Sequence, residues 1–308
     1  MQNGDPAAAR CRRHGTSSLN SQQLLLTGMG EHFRAFSFVD RINALQPGVR
    51  IRGIYAIPAG IGEFSGSLVA EAVGQLAAWA AMAAVNFKSR PVAGLAASIE
   101  LLAPVHPGDV LELSAELETV DAEAAAYGGA AHVKGTPVIR LQHCVGPMLP
   151  VEDFDDPELL RERLALLQGA GAVPGAFGGL PRFPLEATNG EGRDCLRATL
   201  QVPTLAPFFA DHFPRRPVFP GSLLMHSNLE LAAALAARLP PPAGGGRWTL
   251  RGLTDVKLRA FTPPGERLEI EARLTQLAAN AVTLNVETRK GKRVISGARV
   301  LLIPEKLP

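Results

Sequence analysis

Two long apolar stretches dominate the hydropathy pattern of this 308-residue chain. They run from Ser67 to Val85 and from Ser222 to Leu239, and both are rich in alanine and leucine on nearly every side of a helical projection. A helix that is apolar almost all round is typical of a core helix. Each stretch opens with Gly-Ser, and we expect the serine hydroxyl to cap an exposed backbone N–H. The pattern therefore predicts two buried helices, one in each half of the chain.

Alternating polar and apolar residues follow each predicted helix. The alternation covers residues 110–120 and 138–149 in the first half, and residues 267–277, 281–290 and 293–304 in the second half. A period of two predicts β-strands with one buried face. One long buried helix followed by several antiparallel strands is typical of an α+β layer in which a sheet wraps a central helix.

The two halves also resemble each other in sequence. GSLVAEAVGQ (residues 66–75) corresponds to GSLLMHSNLE (residues 221–230) at an offset of 155 residues. LLAPVHPGDVLELSAEL (residues 101–117) corresponds to LRAFTPPGERLEIEARL (residues 258–274) at an offset of 157 residues. Two matched segments in the same order at nearly equal offsets indicate an internal duplication.

The stretch between the halves predicts a linker. Residues 151–168 have the acidic start and basic interior of an amphipathic helix, and residues 169–184 are rich in glycine and proline. We place the boundary between the halves near Gly175. The predicted organisation is a loosely ordered leader, an N-terminal α+β unit, a linker with a short helix and a C-terminal α+β unit, at residues 1–30, 31–150, 151–181 and 182–308.

Composition narrows the classes of function. The chain has 31 basic and 29 acidic residues, so its net charge of +2 does not indicate a nucleic-acid or anionic membrane partner. Its three cysteines (Cys11, Cys144 and Cys195) lack the close spacing of metal or redox motifs, which predicts free thiols in a reducing compartment. No apolar run approaches the ~20 residues that span a bilayer, and no secretory signal follows the basic N-terminus. We therefore expect a cytoplasmic protein without a metal site.

The segment from Ala206 to Glu230 carries the most specific motif. It reads APFFADHFPRRPVFPGSLLMHSNLE, in which His-Phe-Pro at His212 precedes Pro-Gly and the second predicted helix. This string resembles the signature of the hotdog-fold 3-hydroxyacyl-(acyl-carrier-protein) dehydratases of fatty-acid synthesis. Residues 36–57 are similar to that family's N-terminal helix and first strand, and the resemblance extends over roughly residues 32–305. It implies a double hotdog, in which two antiparallel sheets each wrap a long central helix as a pseudo-dimer within one chain.

The resemblance implies one complete site divided between the halves. In that family the histidine comes from one subunit and an acid from the helix of the other, and within one sequence the acid follows the histidine by fourteen residues. Fourteen residues after His212 stands His226, so the second half lacks the acid. Glu71 occupies the equivalent position in the first half, and Gln75 follows on the same helix face. Residues 57–68 of the first half contain no histidine loop, and we expect the companion site around His226 to be inactive.

The expected reaction gives each residue a role. Dehydration of a 3-hydroxyacyl thioester to the 2-enoyl form removes a proton beside the carbonyl and protonates the departing hydroxyl. A neutral imidazole suits His212 as the base, and a carboxyl group in apolar surroundings suits Glu71 as the acid. The resemblance implies that the backbone N–H of Gly221, at the helix start, holds the thioester oxygen. We assign Gln75 to positioning either Glu71 or a bound water.

Other residues of the motif are candidate contacts for the acyl chain and its carrier. Phe209 and Phe213 are candidates for the wall of an acyl tunnel. Arg215 and Arg216 either form part of a basic rim for an acidic acyl carrier protein or are solvated surface arginines. Asp211 and Arg215 stand where the family usually has glycine. The resemblance implies no cofactor, because the phosphopantetheine arrives with the substrate, and a homodimer of double hotdogs is a candidate assembly.

Two alternative functions stay open at this point. A hotdog acyl thioesterase would use the helix carboxylate to activate water and would release a free acid. A non-catalytic acyl-binding subunit would carry degenerate sites. Isomerisation of the new double bond needs the same residue types as dehydration, and the residues do not distinguish primary fatty-acid synthesis from a polyketide or polyene route.

Overall fold

The computed structural model describes residues 32–188 and 192–305, so the predicted leader lies outside the described residues. The strands are β1 (Arg41–Gln46), β2 (Arg50–Ala56), β3 (Ser89–Pro91), β4 (Leu95–Leu101), β5 (Val110–Val120), β6 (Ala124–Val133), β7 (Thr136–Pro150), β8 (Leu185–Thr188), β9 (Cys195–Gln201), β10 (Arg247–Leu258), β11 (Arg267–Ala278), β12 (Ala281–Lys290) and β13 (Arg293–Glu305). The α-helices are α1 (Gly66–Ala84), α2 (Pro157–Gln168) and α3 (Gly221–Ala236). Short 3-10 turns occupy Val151–Asp153 and Pro207–Ala210.

One antiparallel sheet runs through both halves of the chain. Its strand order is β1-β2-β5-β6-β7-β4-β10-β13-β12-β11-β9-β8, and β3 pairs with β7. The halves join where β4 pairs with β10, with Ile99 opposite Leu253. Helix α1 packs on strands of the first half, α3 packs on strands of the second half, and the two helices contact each other. The predicted α+β layer of a sheet and core helices is confirmed.

The two helices begin at corresponding glycines that make corresponding contacts. A Cβ atom on Gly66 would lie 2.8 Å from Leu101 Cδ2, and one on Gly221 would lie 2.5 Å from Leu258 Cδ1. Both distances are too short for a real side chain, so glycine lets the end of β4 or β10 approach the helix start. The offset between these pairs matches the offset of the sequence repeat.

The predicted serine caps are wrong. Because each helix already begins at the glycine, the N-cap positions belong to Ser65 and Pro220, and neither makes a side-chain cap hydrogen bond. Ser67 shares a 2.8 Å hydrogen bond with the Ser65 hydroxyl instead. The buried hydroxyl of Ser222 has no partner among the described residues.

Helix α1 is the described helix whose length and composition would allow it to cross a membrane. The sequence pattern had predicted no such run. However, 61% of its most apolar window is buried inside the protein, as in a core helix. Most of this apolar window therefore packs within the fold.

The prediction that residues 36–57 contain a helix like the N-terminal helix of the dehydratase family is wrong. Residues 36–40 are irregular, and β1 and β2 follow as an antiparallel hairpin. Pro47 and Gly48 lie in the connection, where Gly48 has a φ of +71°. This left-handed turn reverses the chain and excludes a continuous helix.

The strand predictions agree well with the structure. Residues 110–120 and 281–290 are β5 and β12, and the other three predicted strands lie within β7, β11 and β13. The predicted amphipathic helix at 151–168 begins later, as α2 at Pro157. Asp156 caps that helix by accepting a 2.9 Å hydrogen bond from the Glu158 N–H.

Candidate active site

A cavity of about 270 Å³ is lined by residues from both halves of the chain. The first half contributes Glu71 and Gln75 from α1, and the second half contributes His212, Phe213 and Gly221. Much of the remaining wall is apolar and includes Trp79, Met82, Ile99, Leu141, Leu224 and Met225. The cavity therefore combines a small polar region with a hydrophobic wall, as small-molecule sites commonly do.

His212 lies in a loop that follows the 3-10 turn and is closed by backbone hydrogen bonds. Its N–H donates to Phe208 O, and its carbonyl accepts from the Val218 N–H, both at 2.9 Å. The imidazole Nδ1 lies 3.1 Å from Val218 O. Because a carbonyl only accepts, Nδ1 carries the proton in this pair and the neutral ring has a free lone pair on Nε2.

Burial lowers the pKa of His212 below its ordinary value. The charge of Glu71 and the hydrogen bond to Val218 raise it, and Arg90 lowers it, but burial dominates. The imidazole is therefore neutral at physiological pH. A neutral, oriented imidazole is the form that a general base requires.

Glu71 is held by its neighbour one turn along α1. Gln75 Nε2 donates to Glu71 Oε1 at 3.0 Å and to Phe36 O at 2.9 Å. Gln75 Oε1 accepts from the Phe38 N–H at 2.8 Å. Both ends of the Gln75 amide are thus fixed by hydrogen bonds, and the amide in turn holds Oε1 of the Glu71 carboxylate.

Gly221 is the first residue of α3 and lines the cavity. The first N–H groups of a helix have no intrahelical acceptor, and the helix dipole favours negative charge there. This end of α3 is therefore suited to an oxygen that becomes negatively charged.

Arg90 is a cavity residue that the sequence analysis missed. It lies on β3, and its guanidinium carbon is 4.0 Å from the ring centroid of Phe213. Its Nη1 lies 3.9 Å from Asp155 Oδ2. Burial lowers the pKa of Arg90 to about 10, against the opposing charges of Asp155 and Glu71. A lone arginine between lysine, serine and proline in the sequence resembles a surface residue, so no sequence signal identified it.

Asp211 stands at the position where the resemblance leads one to expect glycine. Its φ of −105° is ordinary, so the backbone does not require glycine there. Its carboxylate accepts hydrogen bonds from the backbone N–H groups of Phe33 and Phe36. His32 Nδ1 lies 3.3 Å from Asp211 Oδ1, and His32 Nε2 lies 3.4 Å from Asp155 Oδ1. The aspartate thereby attaches the segment before β1 to the histidine loop.

The two phenylalanines proposed for an acyl tunnel lie in different places. Phe213 lines the cavity, and its ring stacks on His212 with centroids 4.2 Å apart. Phe209 is buried against Phe208, with centroids 4.6 Å apart, and is not one of the residues that line the cavity. Of the two, Phe213 is therefore the residue in contact with the site.

The remaining predicted residues lie outside the cavity. Arg215 is exposed and pairs with Asp156 at 3.0 Å. The guanidinium of Arg216 lies 4.8 Å from the ring centroid of Phe261. His226 lies on α3 with its Nε2 3.7 Å from Glu230 Oε1. The structure thus brings His212, Glu71, Gln75 and Gly221 together and leaves His226 apart from them.

Comparisons with known proteins identify the family. The sequence profile of the ApeI-like family, described as ApeI dehydratase, matches residues 188–298. The 3-hydroxyacyl-(acyl-carrier-protein) dehydratase FabZ of Sorangium cellulosum is 32% identical over 111 residues, which are 34% of this chain and 72% of that protein. The chain belongs to the hotdog-fold dehydratase family. The FabZ dehydratase of Oleidesulfovibrio alaskensis is 35% identical over 91 residues, which are 29% of this dehydratase-family chain and 57% of that relative.

Solved structures resemble this dehydratase-family chain over most of its length. The 12:0-ACP thioesterase from Umbellularia californica superposes with a TM-score of 0.52, covering 83% of this chain and 94% of that one. The two sequences are 10% identical, so the likeness shows the hotdog fold alone. The matched family profile contains His212 and Gly221, whereas Glu71 lies outside its range.

Proposed function

We propose that this dehydratase-family chain converts a 3-hydroxyacyl thioester, carried by an acyl carrier protein, to the 2-enoyl thioester. The observation that carries the proposal is that His212 and Glu71, from different halves of the chain, line one cavity. When its carboxyl group is ionised, Glu71 raises the pKa of His212, so the two groups interact electrostatically within this cavity. The family relationship supports the same reaction.

The proposed mechanism uses each group once. His212 Nε2 removes the proton from C2 beside the thioester carbonyl, and the enolate oxygen is stabilised by the N–H of Gly221 at the start of α3. Glu71 donates its proton to the 3-hydroxyl group, the C3–O bond breaks, and water leaves. Transfer of the proton from His212 to Glu71 then restores both residues. Positioned proton transfers of this kind contribute about 10²- to 10⁴-fold each.

We further propose that the chain is a double hotdog, a pseudo-dimer with one active site. The proposal is supported by the sequence repeat, the corresponding Gly66–Leu101 and Gly221–Leu258 contacts, and a sheet that continues from β4 into β10. The domain limits stay as predicted, at residues 31–150 and 182–308. The companion site is inactive in this proposal, because the first half has no histidine loop and the second has His226 in place of the acid.

The proposed reaction implies a binding partner, a cellular location and a type of pathway. The acyl carrier protein brings the substrate on its phosphopantetheine arm, so the chain needs no cofactor of its own. Arg215 and Arg216, on the loop that follows His212, are proposed carrier contacts. A cytoplasmic location, a homodimer of double hotdogs, and a place in fatty-acid, polyketide or polyene synthesis are parts of the same proposal.

The experiment is a product assay by mass spectrometry. The protein is incubated with 3-hydroxybutyryl and 3-hydroxydecanoyl thioesters of an acyl carrier protein, and we expect loss of one water from the carrier-bound acyl group. Release of the free acid would identify a hotdog thioesterase. Binding of the acyl carrier without any change in its mass would identify a non-catalytic subunit. The comparison of the two chain lengths reports which acyl group the cavity accepts.

A further inference from the structure

Two nitrogens of the Arg90 guanidinium are buried in the cavity wall without a hydrogen-bond partner among the described residues. The side chain is 13% exposed, and the two nitrogens are Nε and Nη1. Asp155 Oδ2, at 3.9 Å from Nη1, is beyond hydrogen-bonding distance. The cation lies over the rings of Phe213 and Phe154, at 4.0 and 6.0 Å from their centroids.

Burial of the Arg90 guanidinium costs free energy that its contacts within the protein do not fully offset. This guanidinium loses its hydration, and it gains the attraction of the aromatic faces and of the Asp155 and Glu71 charges but no hydrogen bond to Nε or Nη1. Asp155 is not available to Arg90 alone, because His32 Nε2 lies 3.4 Å from its other oxygen. Such a group, in the same cavity as His212 and Glu71, indicates a site for a ligand oxygen.

The substrate of the proposed reaction brings two oxygens to the site. The thioester oxygen is assigned to Gly221 at the start of α3, which leaves the 3-hydroxyl group. The charge of Arg90 acts on Glu71, the residue that protonates this hydroxyl. We propose that Arg90 is a third functional residue, which donates a hydrogen bond to the 3-hydroxyl oxygen and holds it beside Glu71. This inference rests on the proposed dehydratase function.

The step balances without a further reactant. Glu71 gives its proton to the 3-hydroxyl oxygen, the electron pair of the C3–O bond leaves with that oxygen, and the product is water. Arg90 keeps its protons throughout. Its positive charge faces the departing oxygen and the carboxylate that forms on Glu71, so both are stabilised as the bond breaks.

The test measures binding to two matched ligands. The variant His212→Ala prevents turnover, and its affinity is measured for 3-hydroxybutyryl pantetheine and for butyryl pantetheine, which lacks the hydroxyl. Adding Arg90→Met should weaken binding of the hydroxylated ligand by about 10- to 100-fold, because a hydrogen bond to a charged donor is lost. Binding of butyryl pantetheine should change little. Arg161→Met, which removes a cation over Phe87 outside the cavity, is the matched control and should alter neither affinity.

The outcomes separate this inference from the function on which it depends. Equal losses for the two ligands, or no loss for either, would show that Arg90 does not hold the hydroxyl. If Arg90→Met does not fold, Arg90→Lys decides the question, since its shorter ammonium lacks the planar fork of the guanidinium and should still weaken binding of the hydroxylated ligand only. A wild-type chain that dehydrates neither the 3-hydroxybutyryl nor the 3-hydroxydecanoyl carrier thioester would contradict the proposed function itself.

Discussion

Asp211 accepts a 2.6 Å hydrogen bond from the backbone N–H of Phe36. On its other side, Phe36 O accepts from Gln75. Asp211 is adjacent to His212 in sequence, and Gln75 holds Glu71 from one turn away on α1. The segment before β1 therefore connects the loop that carries the proposed base with the helix that carries the proposed acid.

This connection predicts that Asp211→Ala destabilises the protein. The substitution leaves the N–H groups of Phe33 and Phe36 without their acceptor, and we expect a loss of about 1–3 kcal/mol in the free energy of unfolding. Urea denaturation measures it. Asp121→Ala is the control, because Asp121 also accepts two backbone N–H bonds but in an exposed turn, where water replaces it at lower cost. Equal losses for the two variants would contradict the expectation.

The stability contributed by His32 should decrease at high pH. Burial lowers the pKa of His32, but the hydrogen bonds and charges of Asp155 and Asp211 outweigh burial and raise the pKa to about 9. The charged form is thus favoured in the folded state. Its contribution is fully present below the unfolded pKa of about 6.5 and is lost as the pH rises through about 9.

The measurement compares wild type with His32→Gln by urea denaturation at several pH values. We expect the difference in unfolding free energy to be roughly 1–3 kcal/mol at pH 6 and to decrease as the pH rises through about 9, where the contact between His32 Nδ1 and Ala210 O remains. His143→Gln provides the control, since His143 makes a similar pair with Glu118 at an exposed position. A His32 difference that grows with pH would have the wrong sign for this ion pair.

The titration of His212 should respond to Glu71. Because burial lowers the pKa of His212, its NMR titration midpoint should lie below the ordinary value of about 6.5. Glu71→Gln removes a carboxylate that favours the imidazolium, so it should lower the midpoint further. A higher His212 midpoint in Glu71→Gln would contradict the interaction.

The proposed carrier contacts can be tested by charge reversal. Arg215→Glu with Arg216→Glu should lower kcat/KM for carrier-linked substrate, because an acidic carrier is then repelled. Turnover of the corresponding pantetheine thioester, which has no carrier protein, should be retained. Unchanged kcat/KM with the carrier-linked substrate would assign these arginines to the solvated surface.

Alternation in the sequence predicted five strands with one buried and one solvated face, whereas β2, which has the same burial pattern, was expected only from the family resemblance. Strands β5 and β12 have this alternation and were located to the residue. Strand β6 was missed because its sequence is mostly alanine and glycine. The structure gives the reason: a Cβ on Gly129 would lie 2.5 Å from Val73 Cγ1, so α1 passes too close to β6 for larger side chains. This closeness is a property of packing that the strand sequence does not display.

Some residues of the candidate site could be identified from sequence, whereas others depend on tertiary contacts. His212 lies in a specific motif, and the repeat offset led from it to Glu71. Arg90 reaches the cavity only because β3 pairs with the end of β7, which brings it beside Phe213 of the other half. Its position depends on contacts between residues far apart in sequence, so no local pattern could have identified it.

The shared site is tested most directly by the kcat of His212→Ala, Glu71→Gln and an equimolar mixture of these two variants, with 3-hydroxyacyl carrier substrate. We expect each variant to lose about 10²- to 10⁴-fold, and we expect the mixture to recover nothing, because both groups must belong to the same chain. His226→Ala, measured alongside, should retain wild-type kcat. Near-normal activity in either single variant, or recovery of activity on mixing, would contradict a site formed by the two halves of one chain.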